Sequence, residues 1–268
     1  MAKERSIVTR EDLKKGFLAL GLTAGMKVMV HSSLKSFGYV EGGADAVIDV
    51  LMEILTPEGT LMMPSFNHEA PYNKGEIFEV RTTPTTNGII PDTFWRREGV
   101  ARSINPTHAF AAWGKDKERY TADHQKTSAM GPDSPLGRLM ADGGYCLLLG
   151  VGYHSNTFHH HVETMEGAKC LNLRGEVYPV RLADGSERMA HTWSWRNGVC
   201  PITDMGAYVP GMAAIDKEIK IGDSTVNFYK LSEGYQVIAK CLQEGIDGHP
   251  PCKDCPTRPR VCKWSVTE

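Results

Sequence analysis

Short apolar runs alternate with amphipathic stretches along most of the chain. Thr60–Pro64 and Tyr145–Leu149 have the length and composition of buried strands. Val47, Val50 and Leu51 instead recur at helical spacing. Strands that alternate with helices are typical of an α/β fold, in which helices cover a sheet. The pattern predicts strands at 27–30, 60–64, 101–104, 109–113 and 145–149, and a pair of strands within 219–229. It predicts helices over 9–20, 41–55, 89–97 and 133–140, and a late helix that includes Tyr235, Ile238 and Leu242.

A hairpin is predicted later in the chain. Residues 176–182 and 188–193 have strand composition, and they flank an Ala-Asp-Gly-Ser segment that is typical of a turn. Pro179 has no amide hydrogen to donate to a neighbouring strand. Its strand is therefore expected at the edge of a sheet.

The stretch that follows the predicted 145–149 strand opens with a glycine turn and continues as a helix. Asn156 or Thr157 can cap the start of this helix. His160 and Glu163 stand three residues apart, so both side chains project from one helix face. Because functional side chains collect at the carboxyl ends of strands in open α/β sheets, a functional role for this pair is favoured over a structural one.

A second unit of strand, loop and helix begins at Lys27. The strand runs into the polar loop 31–38, and Gly42 and Gly43 open the next helix. Backbone N–H groups and the helix dipole at such a helix start can hold a phosphate. Many α/β proteins have the same turn without a ligand. The unit is therefore a candidate phosphate site, and an ordinary turn is the alternative.

The segment from 65 to 87 lacks hydrophobic periodicity. So long a loop in a compact domain is usually functional or mobile, and it is expected to line a substrate cleft. His108, at the entrance of the 109–113 strand, has a simpler interpretation as a histidine at the core edge that bonds to backbone. The ionisable and aromatic candidates of the loop are His68, Glu69, Tyr72, Glu76 and Glu79.

The charge balance narrows the classes of partner. The 268 residues include 30 basic and 32 acidic ones, the formal net charge is −2, and no dense Lys/Arg cluster occurs. Neither a nucleic-acid partner nor a membrane-surface patch is indicated. No apolar run approaches the ~18 residues of a membrane span, and no signal core opens the chain, so a cytoplasmic location is expected. The length suits a single domain over residues 1–268.

Cysteine usage indicates reduced thiols. The chain has seven cysteines, an odd number, and four of them are scattered through segments predicted to be structured. In the tail at about 249–268, Cys252 and Cys255 have the spacing of zinc ligands, and Cys262 and His249 could complete a set. Such an incomplete set is more often reduced than metallated. No metal is predicted, and zinc in the tail is the alternative.

Three consecutive histidines, His159, His160 and His161, raise the alternative of a metal-dependent hydrolase. Neighbouring side chains on a helix point about 100° apart, so all three cannot meet one ion. On this reasoning only His160 shares a useful face with Glu163. A transferase in which His160 acts as a base and Glu163 orients it fits the pattern better.

Six separated motifs support this interpretation. They are His-Ser-Ser-Leu-Lys-Ser-Phe-Gly at 31–38, Thr-Leu-Met-Met-Pro at 60–64, Arg-Ser-Ile-Asn-Pro-Thr-His at 102–108, Gly-Pro-Asp-Ser-Pro-Leu-Gly-Arg-Leu at 131–139, Leu-Leu-Leu-Gly-Val-Gly at 147–152 and Asn-Thr-x-x-His-x-x-Glu at 156–163. In that order they resemble the aminoglycoside 3-N-acetyltransferase family, over roughly residues 9 to 245. Any one motif would be weak, and their common order makes the resemblance specific.

The resemblance implies a three-layer α/β/α fold with a central mixed sheet, distinct from the more widespread GNAT superfamily of amine acetyltransferases. It implies an acetyl-CoA-dependent enzyme that acetylates the 3-amino group of the 2-deoxystreptamine ring of aminoglycosides and confers antibiotic resistance. Carried over by motif, His160 would be the general base and Glu163 its partner. The residues that would border the coenzyme are His31, Ser32, Ser33, Gly42, Gly43, Arg102, Ser103 and Thr107.

This chain departs from the family pattern at several positions. Ala109 stands where many relatives have serine, and His159 and His161 stand where relatives have aliphatic residues. The cysteine tail lies outside the resemblance. A related acetyl-CoA-dependent acyltransferase that acts on a biosynthetic amine is therefore the alternative, and a homodimer and a monomer both remain open.

The chemistry of thioester aminolysis agrees with these residue types. The amine must be neutral, yet aminoglycoside amines are largely protonated near neutral pH, so a base and an electronegative pocket are required. His160 would remove the proton, and Glu163 would fix the imidazole tautomer. A backbone N–H or the Thr107 hydroxyl would stabilise the oxyanion. Candidates for binding the polycation are the acidic residues of the 65–87 loop, Asp204, Asp216 and Glu218.

Overall fold

A computed structural model describes residues 5–67, 69, 76–166, 171–172, 177–191, 194–195 and 209–245. The strands in this part of the chain are β1 (Ile7–Val8), β2 (Lys27–Ser32), β3 (Tyr39–Val40), β4 (Thr60–Pro64), β5 (Phe78–Glu79), β6 (Ala101–Arg102), β7 (Phe110–Gly114), β8 (Tyr145–Leu149), β9 (Leu171–Asn172), β10 (Val177–Arg181), β11 (Glu187–His191), β12 (Ser194–Trp195), β13 (Lys217–Ile221) and β14 (Ser224–Lys230). The helices are α1 (Arg10–Leu20), α2 (Gly43–Leu55), α3 (Ile89–Trp95), α4 (Lys117–Thr121), α5 (Pro135–Ala141), α6 (Phe158–Met165), α7 (Val209–Met212) and α8 (Leu231–Glu244). Several candidates lie outside the described residues, namely His68, Tyr72, Asp204 and the tail at 249–268.

The first helix shows how the sequence sets local structure. The Thr9 hydroxyl accepts a hydrogen bond from the Asp12 N–H at 3.2 Å, and the Asp12 carboxylate accepts one from the Thr9 N–H at 2.9 Å. This reciprocal capping box satisfies two amides at the start of α1. Leu13, Phe17 and Leu20 follow at helical spacing, and all three are buried against the sheet.

The largest sheet is mixed, with the strand order β13-β14-β8-β2-β4-β7-β6. Strand β2 pairs in parallel with both β8 and β4, whereas the other neighbours in this sheet are antiparallel. The parallel strands β2, β4 and β8 therefore end at the same edge of the sheet, at Ser32, Pro64 and Leu149. Because β7 is antiparallel to β4, its amino-terminal end at Phe110 comes to that edge too. Four chain segments thus meet there.

Helices cover both faces of this sheet, which confirms the expected three-layer α/β/α fold. Val28 and Val30 of β2 point to the face that packs against α1, α2 and α3, while Met29 points to the other face. Helices α5, α6 and α8 pack against that second face. Within the described residues, every helix is too short or too polar to cross a membrane.

The predicted hairpin is formed by β10 and β11, with Val177 opposite His191. The expectation of an edge strand is wrong, because β10 is the middle strand of a three-stranded sheet in the order β11-β10-β5. Strand β5 pairs only with Val180 and Arg181 of β10. Pro179 lies outside that short ladder, so its missing amide hydrogen costs no ladder bond to β5.

Candidate active site

The turn after β8 requires glycine. Gly150 has φ of +64°, and a Cβ atom there would lie 1.6 Å from Oγ of Ser36 and 2.4 Å from Oγ of Ser224. Its N–H donates to the Thr225 carbonyl at 2.9 Å. The tight turn carries the chain from the buried strand to Val151, at the border of a cavity on the carboxyl edge of the sheet.

Asn156 anchors the start of α6. Its Oδ1 accepts a hydrogen bond from the Phe158 N–H at 3.3 Å, and its Nδ2 donates to the Tyr229 hydroxyl at 2.7 Å. The Cys146 thiol of β8 also lies 3.7 Å from Oδ1. Thr157 occupies the N-cap position, but its side chain does not cap the helix. Of the two predicted capping residues, the structure therefore uses the Asn156 side chain.

The structure brings the predicted pair together. Nδ1 of His160 lies 2.9 Å from Oε2 of Glu163, on the first turns of α6. Glu163 is only 1% exposed, and burial raises the pKa of its carboxyl group to about 7. The side chain of His160 is 16% exposed and borders the cavity. The pair thus has the arrangement of a base at the cavity with a buried carboxylate behind it.

His159 joins this pair, which the sequence interpretation missed. Its ring centroid lies 3.6 Å from that of His160, and its Nδ1 donates to the Asn156 carbonyl. Burial lowers the pKa of His159 to about 3, so the ring is neutral near pH 7. Its position four residues before Glu163 places both on one helix face, a signal that the sequence did contain.

The three consecutive histidines do not converge on one point, as predicted. His161 is directed away from the pair, and its Nδ1 lies 2.8 Å from the Met130 carbonyl oxygen. The ligand-type atoms of His159, His160 and Glu163 all lie within 4.8 Å of one another. Within the described residues, Nε2 of His159 and Oε1 of Glu163 are buried without a hydrogen-bond partner. A buried polar atom without a partner costs about 1–3 kcal/mol, so this arrangement is stabilised by other contacts.

The cavity beside this pair has a volume of about 350 Å³. It lies at the sheet edge where β2, β4, β8 and the start of β7 meet, as the strand directions require. None of the described residues that border it carries a carboxylate. They are His31, Ser32, Pro64, Phe66, Thr86, Asn87, His108, Val151, His154, Ser155, Thr157, His159 and His160.

Two of the predicted coenzyme residues border this cavity. Nε2 of His31 lies 3.2 Å from the Thr157 hydroxyl, and Ser32 follows it at the end of β2. The pKa of His31 is lowered to about 3, mainly by burial and in smaller part by the neighbouring His159 and His160. His31 is therefore a neutral hydrogen-bonding group near pH 7.

His108 also borders the cavity, and sequence reasoning had favoured a core-edge role for it. Nδ1 of its ring lies 2.7 Å from the Thr107 hydroxyl, and its backbone N–H donates a hydrogen bond to Oδ1 of Asn105 at 2.8 Å. The ring lies 4.9 Å from that of Phe66, between centroids. Thr107, a further coenzyme candidate, is fully buried and does not border the cavity. His108 is thus buried, as a core-edge histidine would be, and it also borders the cavity.

Arg102 and Ser103, two further coenzyme candidates, form hydrogen bonds with other residues of the chain. The Arg102 guanidinium donates to the carbonyls of Thr83 at 2.6 Å and Ser65 at 3.1 Å, and it lies 4.2 Å from the centre of the Trp95 ring. Burial lowers the pKa of Arg102 to about 9, which leaves it charged near neutral pH. It borders a second cavity, of about 680 Å³. The Ser103 hydroxyl lies 2.8 Å from Nδ1 of His124.

The remaining coenzyme candidates precede or open α2. Ser33 directly follows β2, and its N–H donates to the Leu149 carbonyl at 2.9 Å. Gly42 and Gly43 have φ of +78° and +60°, and a Cβ on Gly43 would meet no atom within 4 Å. The Gly43 position at the start of the 13-residue helix α2 is therefore open, and the first amides of a helix have no acceptor within the helix itself. Ser33, Gly42 and Gly43 do not border the 350 Å³ cavity.

Comparison with known proteins gives a consistent assignment. A family profile described as Aminoglycoside 3-N-acetyltransferase matches residues 29–243. The SPbeta prophage-derived aminoglycoside N(3')-acetyltransferase-like protein YokD of Bacillus subtilis is 38% identical over 175 residues, which cover 58% of this chain and 64% of YokD. Aminoglycoside N(3)-acetyltransferase VII of Streptomyces paromomycinus is 36% identical over 195 residues, with 66% and 67% covered.

The same fold occurs in a solved structure of an aminoglycoside acetyltransferase. A mutant of AAC(3)-IVa in complex with a gentamicin superposes with a TM-score of 0.79 at 27% sequence identity. This superposition covers 98% of the present chain and 99% of AAC(3)-IVa. Since the family profile spans both the cavity-bordering segments and the pair on α6, the resemblance inferred from the six motifs is confirmed. The chain belongs to the aminoglycoside 3-N-acetyltransferase family.

Proposed function

We propose that this chain is an acetyl-CoA-dependent N-acetyltransferase that acetylates the 3-amino group of the 2-deoxystreptamine ring of aminoglycosides and thereby confers resistance. The observation that carries the proposal is the contact between His160 and Glu163 beside the cavity. Family membership supports the reaction class, and the gentamicin complex of AAC(3)-IVa supports the substrate class. The alignments cover only 64% of YokD and 67% of the Streptomyces enzyme. The substrate of this chain is therefore part of the proposal.

In the proposed reaction, His160 is the general base. Glu163 accepts the hydrogen bond from Nδ1–H, which leaves the Nε2 lone pair to take a proton from the substrate amine. The amine nitrogen attacks the thioester carbonyl carbon, the C–N bond forms and the C–S bond breaks. Imidazolium then returns the proton to the departing thiolate of coenzyme A. Ionised Glu163 stabilises the imidazolium during this exchange.

The coenzyme is proposed to lie along the carboxyl edge of the sheet. Its phosphates would bind the backbone amides at Gly42 and Gly43, where the dipole of α2 favours a negative charge. Asp45 in the first turn would oppose a phosphate, but its carboxylate is paired with Arg97. The thioester would reach the cavity at His31. The full set proposed to border the coenzyme is His31, Ser32, Ser33, Gly42, Gly43, Arg102, Ser103 and Thr107.

The polycationic substrate needs negative charge near the cavity, and Asp216 is the described carboxylate proposed to supply it. Asp216 accepts hydrogen bonds from the Tyr153 hydroxyl and from Nδ2 of Asn227 at 2.6 Å. Tyr153 begins the turn that carries His154 at the cavity border. Glu79, by contrast, is 3.7 Å from the guanidinium of Arg181, which partly neutralises it.

The cellular setting proposed for this reaction is the cytoplasm, where acetyl-CoA is available. Light scattering would decide between a homodimer and a monomer. Steady-state thiol release from acetyl-CoA across a panel of aminoglycosides tests the function itself. Release that depends on an aminoglycoside with a 3-amino group supports the proposal. Release that occurs only with unrelated amines would support the acyltransferase acting on a biosynthetic amine.

A further inference from the structure

We propose that His159, His160 and Glu163 form a binding site for a divalent ion of the zinc class, and that the ion switches the base off when it binds. The site is distinct from the zinc alternative in the cysteine tail. Metal binding itself does not depend on the proposed function, whereas its effect on acetyl transfer does.

The chemistry of the three side chains suits zinc. Two imidazoles and one carboxylate are a recognised protein ligand set for zinc, with a water molecule as fourth ligand. One ligand-type atom from each of His159, His160 and Glu163 lies within 4.8 Å of the other two. The cavity borders both histidines and can supply the water. Small side-chain movements would bring these atoms to coordination distance.

Two buried acceptor atoms in this group of side chains also favour a bound cation. Nδ1 of His159 donates to the Asn156 carbonyl, so the lone pair of the neutral ring is on Nε2. That Nε2 and Oε1 of Glu163 have no hydrogen-bond partner within the described residues, although His159 is 4% exposed and Glu163 is 1% exposed. Both atoms are acceptors, so they cannot satisfy each other while Glu163 is ionised. A divalent ion would satisfy both at once.

The proposed ion would block the base through its tautomer. Nδ1 is the His160 nitrogen beside Glu163, and the ion would bind it in place of the proton shared with Oε2. A neutral imidazole keeps one proton, which must then move to Nε2. Nε2–H cannot accept the proton of the substrate amine. The ion and the catalytic tautomer of His160 therefore exclude each other.

Calorimetric titration of the full chain with Zn²⁺, without coenzyme or amine, tests the site directly. His159→Leu removes one ligand, and His161→Leu is the matched control, because His161 bonds to the Met130 carbonyl away from the site. One binding event should weaken by at least about 10-fold in His159→Leu and persist in His161→Leu. Glu163→Gln, which keeps the side-chain shape, should weaken the same event and serves if His159→Leu fails to fold.

Cobalt distinguishes this site from the cysteine tail. Co²⁺ bound to nitrogen and oxygen gives ligand-field bands without the intense sulfur-to-cobalt charge-transfer band that thiolates produce. We expect ligand-field bands that His159→Leu abolishes, and inhibition of acetyl transfer by Zn²⁺ that EDTA reverses and that needs more zinc in His159→Leu. Equal zinc affinity in both leucine variants, a purely thiolate spectrum, or faster acetyl transfer with zinc would overturn the proposal. Binding without any acetyl transfer would refute the proposed function alone.

Discussion

Nδ1 of His160 lies 2.9 Å from Oε2 of Glu163, and in the proposed reaction this contact would orient the opposite ring nitrogen as the base. The carboxylate is almost completely buried, so it is shielded from competing water. Burial disfavours the ionised form of this carboxylate and raises its pKa, so the His160 contact lies beside a carboxyl group that titrates near neutral pH.

Replacing His160 with alanine should lower turnover by roughly 10²- to 10⁴-fold, the usual contribution of a positioned general base. Binding of acetyl-CoA, measured by calorimetry, should change little. His161→Gln is the matched control on the same helix, and it should keep most of the turnover. Loss of activity in His108→Ala, with normal turnover in His160→Ala, would instead identify His108 as the base, since both rings border the cavity.

Glu163→Gln should lower turnover by at least about 10-fold, because an amide cannot stabilise imidazolium as a carboxylate does. The acidic limb of the kcat/KM profile should also move to lower pH, since the neighbouring carboxylate favours protonated imidazole and the amide does not. Because the two residues act as one unit, the double variant should be scarcely worse than His160→Ala. If the acidic limb of the kcat/KM profile stayed at the same pH, Glu163 would not influence the protonation of the base.

The pH dependence of stability tests the raised pKa of Glu163. That pKa is about 7 in the folded protein against 4.5 for a free side chain, so ionisation favours the unfolded state as pH rises between these values. The free energy of unfolding of the wild-type protein should therefore fall by up to about 3 kcal/mol between pH 4.5 and pH 7 through this group. Glu163→Gln should avoid the loss.

Urea denaturation of both proteins in EDTA, across this pH range, measures the difference in free energy of unfolding. Glu166→Gln is the control, because Glu166 ends the same helix but is only half-buried, with hydrogen bonds to Tyr235 and Gln243. It shows how much the free energy of unfolding changes when a different carboxylate at this helix is removed. A constant difference between wild type and Glu163→Gln would contradict the raised pKa.

Gly43→Asp should raise the Michaelis constant for acetyl-CoA and leave that for the amine unchanged, because a negative charge at the start of α2 repels phosphate. Aspartate tolerates positive φ better than most residues, which limits strain. Gly25→Asp is a matched control, since Gly25 also has positive φ, at +82°, and open space at its Cβ position. An effect on the amine constant alone would place the phosphates elsewhere.

The cysteine tail should be dispensable for acetyl transfer, because it lies outside the family profile at residues 29–243. Substituting serine at Cys252, Cys255 and Cys262 together should leave turnover within about 2-fold of wild type. Thiol release by the triple variant measures this. A stoichiometric zinc content in wild type, together with loss of activity in the triple variant, would give the tail a functional role.

Local patterns predicted several strands and the contact between His160 and Glu163. Thr60–Pro64 and Tyr145–Leu149 are strands with the predicted bounds, because a short apolar run suits a strand buried on both faces. His160 and Glu163 meet because three-residue spacing within one helix fixes their separation. His159 was predictable by the same geometry at four-residue spacing.

Local sequence patterns could not predict contacts between segments that are distant in the chain. His108 reaches the cavity because β7 runs antiparallel to β4, a pairing that the periodicity of either strand does not specify. Arg102 is bonded to carbonyls about 20 to 40 positions away, at Thr83 and Ser65. Pro179 was expected at a sheet edge, but β5 pairs with the other side of its strand, and the proline is tolerated there because this pairing involves only Val180 and Arg181. Such outcomes depend on chain topology.

The most direct measurement of the central claim is mass spectrometry of gentamicin incubated with acetyl-CoA and the full chain, followed by NMR of the product. With wild type, the account predicts a product heavier by one acetyl group, carried on the 3-amino nitrogen of the 2-deoxystreptamine ring. Under the same conditions His160→Ala should yield little product. Unmodified gentamicin with wild type, or an acetyl group on another amine, or equal product from His160→Ala would contradict the account.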